Sequence, residues 1–127
     1  MHALIIEDEF LVAIGIEDSL QALGYTSFDT AGTEATAIAA VQDHVPDLIT
    51  ADVRLANGSG IAAIQSILQQ GYTAPVVFIT GNAEVVREAL PGAVVVQKPF
   101  QDNALRDAIA LARQRGSCLD AMQRSAA

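Results

Sequence analysis

Three carboxylates, a hydroxyl and an ammonium stand behind four short apolar runs of this sequence. Glu7 and Asp8 follow Ala3-Leu4-Ile5-Ile6, and Asp52 follows Asp47-Leu48-Ile49-Thr50-Ala51. Thr80 follows Pro75-Val76-Val77-Phe78-Ile79, and Lys98 comes just after Ala93-Val94-Val95-Val96. Gathered in one place, the carboxylates repel: two charges about 4 Å apart cost roughly 4 kcal/mol at an effective dielectric near 20. A solvated acidic rim relieves that cost in one way, and a hard divalent cation in another. Mg²⁺ takes oxygen ligands, keeps several waters and binds through one or two carboxylates together with a phosphate. Lys98 adds a compact positive charge suited to a phosphoryl oxygen, and Thr80 a hydroxyl donor. An anion held by metal, ammonium and hydroxyl, facing a carboxylate, is what phosphoryl transfer needs, with the carboxylate as nucleophile.

The elements that must position these groups are readable from periodicity. Strands are expected over Ala3–Ile6, Tyr25–Phe28, Asp47–Ala51, Pro75–Ile79 and Ala93–Val96. Between them, Phe10–Leu23 carries Val12, Ile16, Leu20 and Leu23 at helical spacing, and Gly24 ends that helix. Thr33–His44 predicts a helix capped by Thr33 and blocked by Pro46. Ile61–Gln70 predicts a third helix, Glu84–Leu90 one or two helical turns, and Asp102–Arg113 a last helix capped by Asp102 or Asn103 and ending near Gly116. A tail follows, with a helical extension through Leu119 and Met122 as one expectation. Strands alternating with helices predict an α/β fold: a doubly wound parallel sheet with helices on both faces, whose ligands bind beyond the carboxyl ends of the strands. Glu7, Asp8, Asp52, Thr80 and Lys98 all stand at those ends.

Composition excludes several classes. The chain has 127 residues, seven Lys and Arg against fifteen Asp and Glu, a net charge of −8 and one cysteine, Cys118. That length suits one domain. The acidic balance argues against unaided nucleic-acid binding, because phosphate neutralisation needs clustered Lys and Arg. A single cysteine excludes an internal disulfide, and Cys118 is expected to be a free thiol. No apolar run is long enough to span a membrane, and the expected location is the cytoplasm. Asn57-Gly58-Ser59-Gly60 lacks the Gly-Lys-Ser/Thr ending of a phosphate loop and reads as a turn. Glu9 reads as a carboxylate favouring a helix N-terminus, and His2 and His44 as isolated surface residues.

Over residues 3 to about 114 the chain resembles the receiver domain of a two-component response regulator of the stand-alone, CheY-like kind. Glu7-Asp8 matches the acidic pair, Asp52 the phosphoacceptor, Thr80 the switch hydroxyl, and Lys98-Pro99-Phe100 the lysine followed by a proline. The resemblance implies a flavodoxin-like five-stranded sheet of order 2-1-3-4-5 with five helices. It implies a receiver over 1–116, a tail over 117–127, and a signalling module rather than a turnover enzyme. Asp8 and Asp52 would ligate Mg²⁺, or Mn²⁺ in its place, with Glu7 acting through water and Arg54 through its backbone carbonyl. The implied donor is a sensor histidine kinase or histidine phosphotransfer protein. The output is phosphorylation-dependent binding of a downstream protein, and a homodimer is left open. Arg54 and Asn82, two positions after Asp52 and Thr80, would tune the lifetime of the acyl phosphate.

Three features depart from the family pattern. Val95 stands where an aromatic switch is usual, Ala56 where a proline is frequent, and the stretch from Thr80 to Lys98 is about one helical turn short. Phe78-Ile79-Thr80-Gly81 partly resembles a Phe-x-Thr-Gly subclass, which implies a short or mobile fourth helix, Asn82–Leu90 staying mobile until Asp52 is phosphorylated. Two other functions compete. A Mg²⁺-dependent aspartate phosphatase uses a second Asp two residues after its nucleophile, where Arg54 stands. A pseudo-receiver that binds proteins without phosphotransfer would not need the acid pair, Asp52, Thr80 and Lys98 together.

Overall fold

The computed structural model describes residues 1–115. The expected tail over 117–127, Cys118, Leu119, Met122 and the helix end at Gly116 lie outside them. Ten elements alternate: β1 (His2–Ile6), α1 (Phe10–Ala22), β2 (Ser27–Ala31), α2 (Glu34–Asp43), β3 (Leu48–Ala51), α3 (Gly60–Gln69), β4 (Val76–Thr80), α4 (Ala83–Ala89), β5 (Val94–Gln97) and α5 (Asp102–Gln114). The sheet is parallel, in the order β2-β1-β3-β4-β5. This is the flavodoxin-like α/β fold with five helices, the fourth only seven residues long.

The central strands are mostly apolar because both sheet faces are covered. Leu4, Ile6, Ile49 and Phe78 pack against Val41, Ile64 and Val86 on one face. Ala3, Ile5, Val77 and Ile79 pack against Ile16, Leu105 and Ile109 on the other. Thr33 caps α2 reciprocally with Thr36, and Ser59 caps α3.

Three expectations are corrected. β2 begins at Ser27 rather than Tyr25. Gly24, at φ +101°, turns the chain after α1, and Tyr25 N–H donates to the Leu20 carbonyl at 3.1 Å. Tyr25 therefore plugs the core under α5, while the edge strand itself is largely polar. The cap of α5 is neither Asp102 nor Asn103: Gln101 occupies that position without a side-chain bond, and Asp102 accepts from Ser19 Oγ at 2.7 Å. His2 and His44 are not isolated. His2 is buried in β1, its ring bonds Ser27 Oγ and Asp29 Oδ2, and it stacks on His44 with centroids 3.9 Å apart.

Candidate functional site

Hydrogen bonds that run past the strand ends fix the heights of the polar groups. Glu7 N–H donates to Ala31 O, Asp52 N–H to Ile6 O and Lys98 N–H to Thr80 O, at 2.8, 2.9 and 2.8 Å. Glu7, Asp52, Thr80 and Lys98 thereby line up along one sheet edge. A cleft of about 480 Å³ opens there, lined by Asp8, Val12, Asp52, Arg54, Thr80 and Lys98 among others. The expected site residues are brought together, except that Glu7 lies beneath the cleft with its side chain 1% exposed.

Lys98 Nζ donates to Glu7 Oε1 at 2.7 Å and to Asp52 Oδ2 at 2.8 Å, so one ammonium neutralises parts of two carboxylates. Burial pulls the Lys98 pKa down, but its bonds to Asp52 and Glu7 outweigh that and hold it above the ordinary lysine value. Burial pushes Glu7 above the usual carboxylate range, against the opposing pull of Lys98 and of Glu9 N–H. The other oxygen of Asp52, Oδ1, accepts from Val53 N–H at 2.7 Å, which leaves the carboxylate aimed by two donors. The Lys98–Pro99 peptide is cis.

Gly60 makes this geometry possible. A Cβ there would lie 1.7 Å from the Asp52 carbonyl oxygen, and Gly60 N–H donates to Val53 O at 2.9 Å. Only a residue without a side chain lets α3 start this close to Asp52. The sequence shows Gly60 simply as part of a turn. Thr80, 2% exposed, accepts from Asn82 N–H at 3.1 Å through its hydroxyl oxygen, and its own proton meets no acceptor among the described residues.

The donor set suits a hard cation. Asp8, Asp52 and Arg54 line the cleft, while Glu7 is engaged by Lys98. Among the described residues no three His, Cys, Asp or Glu side chains converge as a metal cage. Two carboxylates opening on one cleft are oxygen donors of the kind a hard cation such as Mg²⁺ takes, the rest of its shell being water.

A model of the response regulator receiver domain matches residues 3–110. The chain belongs to this family. The receiver is 38% identical over 102 residues to the phyllosphere-induced regulator PhyR of Methylorubrum extorquens, an alignment covering 77% of this chain and 38% of that protein. It spans well under half the length of that relative. Its fold matches the solution structure of the PhyR receiver domain of Erythrobacter litoralis, with a TM-score of 0.79, 38% identity and 89% of each chain covered. It also matches the receiver domain of the sensor histidine kinase PA1611 from Pseudomonas aeruginosa PAO1, described with a magnesium ion in its active-site cleft. There the TM-score is 0.76 and the identity 26%, over 87% of this receiver and 94% of that one.

Val12 and Gln97 were not singled out from sequence as site residues. Val12, read at helical spacing with Ile16 and Leu20, packs half-buried against the core and also lines the cleft, while Ala13 is buried. Gln97 bonds the loop between β4 and α4. Helical spacing alone cannot separate neighbouring faces this finely, and nothing in the residue type marks Gln97.

Proposed function

We propose that this receiver accepts a phosphoryl group on Asp52 from a phosphohistidine and signals by phosphorylation-dependent binding of a downstream protein. The observation that carries this reading is the Asp52 carboxylate, held by Lys98 Nζ and Val53 N–H and opening on a cleft shared with Asp8 and Thr80. An Asp52 oxygen attacks phosphorus, and a new O–P bond forms. The P–N bond breaks, and its electron pair returns to the donor imidazole. Asp8, Asp52 and the Arg54 carbonyl would hold Mg²⁺, or Mn²⁺ in its place, with Glu7 acting through water. The bound cation supplies charge neutralisation for the phosphoryl oxygens. Lys98 Nζ and the Thr80 hydroxyl proton then hold the transferred group.

The surface beside the cleft fits a protein donor. Phe10 and Leu11, 75% and 80% exposed, open α1 immediately after the acidic loop. They offer an apolar face on which a sensor histidine kinase or histidine phosphotransfer protein can bring its histidine to Asp52. Acetyl phosphate with Mg²⁺ tests the reading. One added phosphoryl mass, absent in Asp52→Asn, is the expected result. An unmodified wild type points to a pseudo-receiver, and sustained release of phosphate from small phosphomonoesters points to a phosphatase.

A further inference from the structure

The loop from Thr80 to Ala83 carries the hydroxyl that is to meet the phosphoryl group; Thr80 and Ala83 at its ends are buried, while Gly81 and Asn82 between them reach solvent. Gly81 is exposed, and a Cβ built there meets nothing within 4 Å. Asn82, at the N-cap position of α4, makes no side-chain capping bond. The loop is instead held by Gln97, which pairs with Thr80 across the ladder. Gln97 Nε2 donates to the Gly81 carbonyl at 2.8 Å, and Gln97 Oε1 accepts from Ala83 N–H at 3.2 Å. One exposed amide therefore clasps the loop on both sides of Asn82, and Asn82 N–H in turn bonds Thr80 Oγ1 at 3.1 Å.

We propose that Gln97 is a positioning residue, a latch that holds the β4–α4 loop and, through Asn82, the Thr80 hydroxyl in their phosphoryl-free arrangement. This inference rests on the phosphoacceptor reading of Asp52. In the phosphoryl-free protein Thr80 Oγ1 bonds Asn82 N–H and makes no bond to Asp52 or Lys98. Drawing Thr80 toward a group on Asp52 moves the backbone it is bonded to, and that movement strains or breaks the bonds of Gln97. The latch restrains the loop by hydrogen bonding.

Beryllofluoride with Mg²⁺ is the probe, a stable stand-in for the phosphoryl group. Gln97→Leu keeps the size and loses the amide, and Gln97→Ala loses both. Each is expected to bind beryllofluoride about fivefold more tightly than wild type, the weight of an ordinary hydrogen bond no longer opposing the movement. The Ala83 amide is expected to exchange faster in both variants. In wild type it should speed up when beryllofluoride binds, the reverse of the ordering that the Phe-x-Thr-Gly resemblance implies for Asn82–Leu90. Equal or weaker affinity in both variants, with wild type binding normally, overturns the latch alone, as does Ala83 exchange indifferent to the substitutions. A wild type that takes up no beryllofluoride overturns the phosphoacceptor reading and the latch with it. Because Gln97 is exposed at a strand end, both variants are expected to fold.

Discussion

Replacing Lys98 with Met removes one charge from between two carboxylates and keeps most of the side-chain volume. The ammonium lies 2.7 Å from Glu7 and 2.8 Å from Asp52, and the Glu7 side chain is 1% exposed. Breaking a fully buried pair by deleting one partner costs about 3–5 kcal/mol, because the remaining charge is stranded. The Lys98 and Asp52 side chains are 22% and 15% exposed, so water recovers part of that and the expected loss is about 2–3 kcal/mol. Arg87→Met is the control. Its 2.6 Å bond to Glu84 is as short, but those side chains are 56% and 74% exposed, and the expected loss is at most about 0.5 kcal/mol. Urea denaturation at neutral pH without divalent cations measures both. Without Lys98, burial acts on Glu7 against the Glu9 N–H bond alone, so protonation relieves the strain and the deficit of the Lys98 variant should shrink as pH falls. Mg²⁺ should restore more stability to this variant than to wild type, since Asp52 then faces the cation without a competing ammonium. A Lys98 variant no less stable than the Arg87 control would refute the reasoning.

The raised pKa of Glu7 has a definite sign. Its folded value lies above its unfolded one, so its contribution is fully present below the unfolded pKa of 4.5 and is lost as pH rises through the folded value. Glu7→Gln, which mimics the protonated form, should therefore gain stability relative to wild type across that rise, and paired denaturation curves at several pH values check it. Gly60→Ala should cost about 1–3 kcal/mol and lower phosphoryl uptake, since its Cβ would strike the Asp52 carbonyl; full stability and uptake would refute the close approach. The buried Thr50 hydroxyl has no hydrogen-bond partner among the described residues. Thr50→Val is thus expected to stabilise the fold by about 1 kcal/mol, and a lower thermal midpoint would contradict that.

The placement of the candidate site was legible because of how a parallel sheet is built. Strands covered on both faces are apolar runs, so the first polar residues after them mark the sheet edge. That logic located Asp8, Asp52, Thr80 and Lys98 and left their partners unassigned. It misplaced β2, because an edge strand is half solvated and its Ser27-Phe28-Asp29-Thr30 shows no apolar run. It missed the His2–His44 stack, which joins residues far apart in sequence that only the fold brings together. It passed over Gln97, whose role depends on two backbone groups across the ladder rather than on its own chemistry. Gly60 looked like any turn glycine until its distance to Asp52 was known.

Borohydride reduction after incubation with a phosphohistidine donor and Mg²⁺ tests the central claim most directly. An acyl phosphate on aspartate is reduced to homoserine, so sequencing the peptides reads the acceptor position. The account predicts homoserine at position 52 and nowhere else. Homoserine at Asp8, or at no position while the donor has lost its phosphoryl group, would contradict it.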